Sequence, residues 1–308
     1  MKKVFIDGSA GTTGLRIFER LSSRSDLELV TLRDELRKDP AARKAAINSS
    51  DVAFLCLPDA AAIEAVSMVD NPDTVIIDTS TAHRTNDDWV YGFAEIGSRR
   101  SDIAKSKRIA NPGCHASGFV ALVEPLVSSG ILPGDVRLCS FSLTGFSGGG
   151  KKMIAEYEVH ADPQLDGARQ YALGQSHKHL PEMVKICRLS NAPVFSPVVA
   201  PHLSGMEVTV QLSASQLKAS LEDIRDCYRA YYASAKLVKY VDDPSCGGFI
   251  SSSAFSGRDD MAVCAYGNDE RIVLVSLFDN LGKGASGAAI QNMNIAVGCD
   301  ETTGLVIG

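Results

Sequence analysis

Short apolar runs alternate with amphipathic stretches through the first third of the chain. KVFID, LELVTL, DVAFLCLP, TVIID and RIA read as strands, and their apolar residues follow one another without alternation, as in strands covered on both faces. Between them TGLRIFERLSS sets Leu15, Phe18 and Leu21 at helical spacing, a polar stretch near 40–48 reads as a helix, and another is expected over about 59–69. The alternation predicts a parallel sheet with helices on both faces. The middle of the chain is patterned differently. DVRLCSFSLTG reads as a strand running into the glycine loop FSGGGKK, and VFSPVVAPHLSGMEVTVQLS as two strands around a Pro/Gly turn. SQLKASLEDIRDCYRAYYAS sets Leu217, Leu221, Ile224 and Tyr228 on one helical stripe. MAVCAYGNDERIVLVSLFDN predicts a hairpin with a Gly-Asn turn, and ASGAAIQNMNIAVG a last apolar helix. This is a mixed α+β pattern, and the absence of a linker predicts two domains in close contact.

Composition narrows the function classes. A chain of 308 residues is long enough for two cores, and 45% hydrophobic with 22% charged residues is ordinary for a globular protein. A net charge of −6 offers no footprint for nucleic acid. No apolar run approaches a membrane span, and the start MKKVFIDGSAG is too short in apolar residues for a signal peptide, so a cytoplasmic protein is expected. The eight cysteines are scattered without a C-x-x-C pair, which argues against zinc and against a disulfide framework. Most sit in apolar segments and read as small core residues.

The turn DGSAGTTG holds Gly8, Gly11 and Gly14 between a strand and a helix. There, one glycine permits a tight turn, the next lets backbone approach a pyrophosphate, and the third permits close packing, with helix amides facing the anion. An ordinary strand–helix turn can carry the same spacing. Thr12 and Thr13 add hydroxyl donors or simply start the helix. After the second strand, Arg33, Arg37 and Lys38 suit the extra phosphate of NADP, while Asp34 beside them and the look of a solvated charged loop argue the other way.

In ANPGCHASGFVALVEPL, Cys114 follows a Pro-Gly turn, ends a strand of the parallel sheet and begins an apolar helix. The positive end of a helix dipole lowers a thiol's pKa, a placement that a nucleophile needs and a core cysteine does not. A nucleophile also needs a base. GQSHKHLPEM offers His177 and His179, and Pro181 opens a helix that would aim His179. No third ligand at a sensible spacing makes this pair a metal site.

GSAGTTG, CLPDAAAIEAV, DTSTAHR, FAEI, ANPGCHASGF, SGGGKK, HKHLPE and DNLGKGASGAAIQNMN occur in one order along nearly the whole chain. Together they resemble the shorter form of the N-acetyl-γ-glutamyl-phosphate reductases, a family of arginine biosynthesis akin to aspartate-semialdehyde and glyceraldehyde-phosphate dehydrogenases. The resemblance implies an α/β protein. A Rossmann NADP-binding domain would span 1–113 and take back the C-terminal segment 285–308. An α+β catalytic domain with a mixed, largely antiparallel sheet would span 114–284. It further implies NADPH-dependent reduction of N-acetyl-L-glutamyl 5-phosphate to N-acetyl-L-glutamate 5-semialdehyde and phosphate. Cys114 would be the nucleophile and His179 the acid/base, with His177 second. Arg84 would grip the substrate's carboxylate, and Ser147, Gly148, Gly149, Lys151 and Lys152 its phosphate, though a solvated helix start explains the lysines nearly as well. Ser80, Thr81 and His83 neighbour Arg84, and Glu95 reads as an orienting carboxylate or a surface residue. Asn280 and Gly284 read as nicotinamide contacts or as packing. A homodimer or homotetramer is expected by analogy of fold. The rival readings are a related acyl-phosphate reductase of the aspartate-semialdehyde or aminoadipyl-phosphate type, and a non-enzymatic NADP-binding regulator, which would not need NPGC and HKHLPE.

Overall fold

A computed structural model describes all 308 residues. The chain divides into two compact units, the first made of Met1–Gly113 with Ala285–Leu305, the second of Cys114–Gly284 with Val306–Gly308.

The first unit runs β1 (Lys2–Asp7), α1 (Thr12–Ser22), β2 (Leu27–Val30), α2 (Pro40–Asn48), β3 (Val52–Leu55), α3 (Asp59–Ser67), β4 (Val75–Asp78), β5 (Val90–Tyr91), α4 (Arg99–Lys105) and β6 (Arg108–Ala110). Its six strands are all parallel in the order β2-β1-β3-β4-β6-β5. β3 and β4 are buried throughout, which is why they read as unbroken apolar runs. The order reverses between β1 and β3, and the crevice beyond the carboxyl ends of strands at such a reversal is where open α/β sheets bind ligands. In α1 the buried face is Gly14, Ile17 and Leu21, whereas Leu15 is 42% exposed. The buried stripe differs from the expected one because Leu15 stands three residues from Phe18 and Ile17 four from Leu21, both helical spacings, and only packing decides between them.

The second unit opens with α5 (Cys114–Ser128) and continues through β7 (Cys139–Gly145), α6 (Gly150–Val159), β8 (Arg169–Gln170), α7 (Leu180–Ile186), β9 (Val194–Ala200), β10 (Met206–Ser213), α8 (Leu221–Tyr231), β11 (Val238–Tyr240), β12 (Met261–Asn268) and β13 (Arg271–Phe278). The sheet order is β11-β12-β13-β10-β7-β9-β8, and only the β11–β12 and β7–β9 pairs are parallel. β9 and β10 do not pair with each other: β7 lies between them, parallel to one and antiparallel to the other. The hairpin turn of β12 and β13 is made by Asp269 and Glu270 rather than by Gly-Asn, with the Asn268 side chain accepting from the amides of Glu270 and Arg271. Leu217 precedes α8, which starts at a capping box between Ser220 and Asp223.

α5 lies close on the sheet because Gly118 has no side chain: a Cβ there would strike Val208 and Ser276. Pro125 interrupts the hydrogen-bond ladder of α5 and leaves the carbonyl of Ala121 without its helical donor. The hydroxyl of Tyr232, just beyond α8, donates to that carbonyl at 2.8 Å. The last helix, α9 (Gly287–Ala296), belongs to the first unit and sets Ala289, Ile290 and Met293 into its core with Ile17, Phe54 and Ile77. No helix of the chain is long and apolar enough to cross a membrane.

Candidate active site

Cys114 is the first residue of α5, and the helix runs 15 residues behind it. A cavity of about 540 Å³ within the second unit is lined by Cys114, His177, His179, Gly148, Tyr171 and Arg169, among others. The histidines come from the segment that leads into α7. The backbone N–H of His179 donates to His177 Nδ1 at 3.1 Å, which fixes that ring's tautomer with its proton on Nε2. Pro181 stands in the first turn of α7, and Glu182, one residue on, holds a carboxylate oxygen 4.0 Å from His179 Nε2.

His115 is the third ring of the cluster. Its centroid lies 5.5 Å from that of His177 and 5.7 Å from that of His179. Its Nδ1 lies 2.7 Å from the Ser142 hydroxyl and its Nε2 2.7 Å from the Tyr171 hydroxyl. Burial, helped by the neighbouring His177, pushes the His115 ring down to about 3, so it stays neutral across the physiological range. Burial and the nearby Cys114 push the Tyr171 phenol up. Gly284 allows backbone to pass beside the nucleophile, since a Cβ there would come to 3.0 Å from Cys114 Cβ.

Several expected contacts take other roles. The Asn280 amide donates to Ser147 Oγ at 3.0 Å and accepts from the Gly205 N–H at 3.0 Å. Asn280 and Ser147 thus brace the glycine loop ahead of α6 instead of facing the cavity, while Gly148 and Gly149 line it. Lys151 and Lys152 are exposed and do not line it. Arg84 lies in the first unit, where Nε donates to the Asn111 carbonyl and Nη2 to the Thr79 carbonyl, both at 2.9 Å. That edge of its fork is committed to backbone and cannot grip a carboxylate. Beside it His83 Nδ1 lies 2.6 Å from the buried Asp78 carboxylate, and Glu95 accepts from Gln291 of α9. Cys187 and Cys264 are buried as expected of core thiols, but Cys139 and Cys246 are exposed, and no cysteine is in a disulfide.

Sequence reading missed Arg169 and Tyr171. They stand two apart in ARQYALG, a spacing that puts side chains on one face of an extended segment, and both line the cavity.

The first unit has its own cavity of about 590 Å³, running from Gly8, Ser9 and Ala10 past the end of β2 to Arg37 and Lys38. Gly8 has a φ of +85°, and a Cβ there would strike the Cys56 carbonyl just past β3. Gly14 likewise has no room for a side chain against Gly8 and Ser9, so it packs the helix onto the loop itself. Gly11 is the N-cap of α1 and gives no side-chain cap, Thr12 and Thr13 open the helix, and the Thr12 hydroxyl is buried without a hydrogen-bond partner. A bare helix start with an unused hydroxyl fits a dinucleotide's pyrophosphate. Arg37 lines the cavity while paired with Asp34 at 2.8 Å; Arg33 is exposed and does not line it. Arg43, also in the lining, is paired with Asp7 at 3.0 Å.

A fold of this kind, with a cysteine heading a helix beside paired histidines, defines an oxidoreductase of the semialdehyde dehydrogenase class. The family model described as semialdehyde dehydrogenase, NAD binding domain, matches residues 31–106, and that of the semialdehyde dehydrogenase dimerisation domain matches 114–280. Solved structures agree in fold. One is aspartate semialdehyde dehydrogenase II of Vibrio cholerae, complexed with ASA, with a TM-score of 0.73 at 18% identity over 96% of this chain and 98% of that one. Another is the Candida albicans aspartate semialdehyde dehydrogenase with NADP, with a TM-score of 0.67 at 18% identity over 96% and 99%. Curated relatives are nearer in sequence. The N-acetyl-γ-glutamyl-phosphate reductase of Burkholderia ambifaria is 42% identical over 96% of both chains. That of Allorhizobium ampelinum is 44% identical over 95% of this chain and 98% of its own. The chain belongs to the N-acetyl-γ-glutamyl-phosphate reductases, the NADPH-dependent oxidoreductases that make N-acetyl-L-glutamate 5-semialdehyde in arginine biosynthesis.

Proposed function

We propose that the reduction proceeds through a thioester on Cys114, with His179 as proton donor and acceptor. The observation that carries this reading is the shared cavity: the thiol at the start of α5 and both histidines line it. The Cys114 thiolate attacks the acyl-phosphate carbonyl carbon, and backbone amides at the helix start face the oxyanion that forms. Collapse breaks the C–O bond to phosphate and leaves the thioester. The uncapped helix start at Gly11 and the Thr12 hydroxyl would hold the pyrophosphate of NADPH, which when bound would supply the hydride for the reduction of the thioester. His179 protonates the oxygen of the resulting thiohemiacetal, then takes that proton back as the C–S bond breaks, which frees the aldehyde and restores the thiolate. The Glu182 carboxylate stands where it meets the positive charge that the His179 ring carries before it gives up the proton and again once it has taken it back. His177, its Nδ1 already accepting from the His179 amide, presents Nε2–H to the substrate. His115 stays neutral and orients Tyr171.

The chain works in the cytoplasm and assembles with copies of itself as a dimer or tetramer. Supporting the assembly is one sheet face of the second unit, where Cys139 and Phe141 of β7 are exposed in register with Val194 and Ser196 of β9, Val194 at 57%.

The test is phosphate-dependent reduction of NADP⁺ by N-acetyl-L-glutamate 5-semialdehyde. Cys114→Ser is expected to lower kcat by about 10³-fold or more while NADPH binding is kept. A variant that retains a tenth of wild-type turnover would refute the thioester route.

A further inference from the structure

The cavity that holds Cys114 also holds a cation whose hydrogen bonds are mostly unmade. Arg169 stands on the two-residue strand β8, at the edge of the second sheet, opposite Val199 of β9. One of its five N–H donors is hydrogen-bonded, Nη2 to the Tyr157 hydroxyl at 3.1 Å. The guanidinium lies over the Tyr157 ring at 5.2 Å from its centroid, and that ring is stacked on Phe146 at 4.3 Å. The aromatic pair holds one side of the fork rigidly. Nε is buried without a partner, and Nη1 has only the Glu156 carboxylate at 3.7 Å, beyond hydrogen-bond range. The side chain remains 32% exposed. An arginine that served the fold alone would have its donors satisfied; this one is anchored at a corner and left open on the rest, in the cavity of the nucleophile.

We propose that Arg169 binds the α-carboxylate of the substrate and thereby selects an acidic acyl chain. The inference rests on the reaction assigned above. That substrate brings two anions to the cavity, and they have different fates. The phosphate leaves at the first step, whereas the α-carboxylate is present in the acyl phosphate, the thioester and the aldehyde. A fixed cation suits the group that stays, because it holds the acyl chain in register through both chemical steps without retaining the departing phosphate. The guanidinium fork also matches the planar carboxylate with two parallel donors. The phosphate is left to the amides of Gly148 and Gly149, which line the same cavity ahead of α6. Glu156 holds Arg169 loosely until the carboxylate displaces it.

The experiment compares Arg169→Ala and Arg169→Lys with wild type in the phosphate-dependent oxidation of N-acetyl-L-glutamate 5-semialdehyde and of its α-carboxamide analogue. In Arg169→Ala, KM for the semialdehyde is expected to rise by about 10- to 100-fold, the range of a lost charge-assisted hydrogen bond. KM for phosphate and for NADP⁺ stays within twofold. Wild type prefers the carboxylate over the carboxamide by a similar factor, and Arg169→Ala loses that preference. Arg169→Lys keeps the charge without the fork and falls between the two, which provides a reading should the alanine variant fold poorly. An unchanged KM for the semialdehyde in both variants overturns the proposal, as does a rise in KM for phosphate instead, or a carboxylate preference that survives the substitution. A wild-type enzyme inert on the semialdehyde would refute the assigned reaction itself, a result distinct from any of these.

Discussion

Two imidazoles two positions apart, and a third brought in by α5, show how environment divides identical side chains among different tasks. All three line the cavity in which charge is made and unmade, but the His115 ring has both nitrogens against the Ser142 and Tyr171 hydroxyls, packs on Phe195 and is held neutral. Its neutrality has a consequence for stability. In the unfolded chain a histidine titrates near 6.5, and in the folded protein His115 titrates near 3, so between those values the unfolded state holds one proton more. Stability therefore falls as the solution is acidified from about pH 6.5 towards 3. His115→Gln, which keeps polar contacts to both hydroxyls, is expected to reduce the slope of unfolding free energy against pH over pH 6 to 4 by up to one proton's worth, about 1.4 kcal/mol per pH unit. Urea unfolding at a series of pH values checks this, and an unchanged slope would show that the ring titrates alike in both states. At the same scale, Cys114 was legible because a turn, a helix start and a strand end coincide on one residue. Arg169 was not, because a single arginine in a polar segment carries no pattern until the fold shows which of its donors are unused.

Among the elements, α5 depends on a neighbour for its continuity. The proline at 125 would leave a buried carbonyl unbonded, and Tyr232 supplies the missing donor from another segment. Tyr232→Phe is expected to destabilise the protein by about 1–3 kcal/mol, the range for stranding a buried acceptor. Pro125→Ala restores an amide to the ladder, so the same phenylalanine substitution should be milder in that background, and a double-mutant cycle by chemical denaturation measures the difference. Additive effects would show that the hydroxyl and the proline are unrelated. Elements of the first unit were readable where burial on both faces leaves an unmixed apolar run, as in Val52–Leu55 and Val75–Asp78. The stripes of α1 and α8 were read one residue or one turn astray, since Leu15 and Leu217 keep helical spacing yet lie off the core or before the cap. β8 has two residues and owes its existence to β9 beside it, so nothing in its own sequence announces it.

At the scale of the whole molecule, the alternation of strands and helices fixes the class of the first sheet, because parallel neighbours need crossovers and these admit few orders. The second sheet has no such rule. Its parallel β7–β9 pair inside a mostly antiparallel array depends on side chains far apart in sequence. The exposed strip along β7 and β9 bears on assembly. Replacing Phe141 and Val194 together by charged residues is expected to shift the protein in light scattering from a multimer towards a monomer, and a wild type that scatters as a monomer would refute self-association.

The chain leaves the first unit at Gly113 and returns to it only at Ala285. On the ribosome, where the polypeptide emerges amino end first, the parallel sheet is synthesised early but lacks Ala289, Ile290 and Met293 until the message is almost finished. Residues 114–284 are all in hand before that happens. The half of the enzyme that is made first thus cannot close its core until almost the last of the chain is made, and until then its nascent sheet carries an uncovered apolar flank.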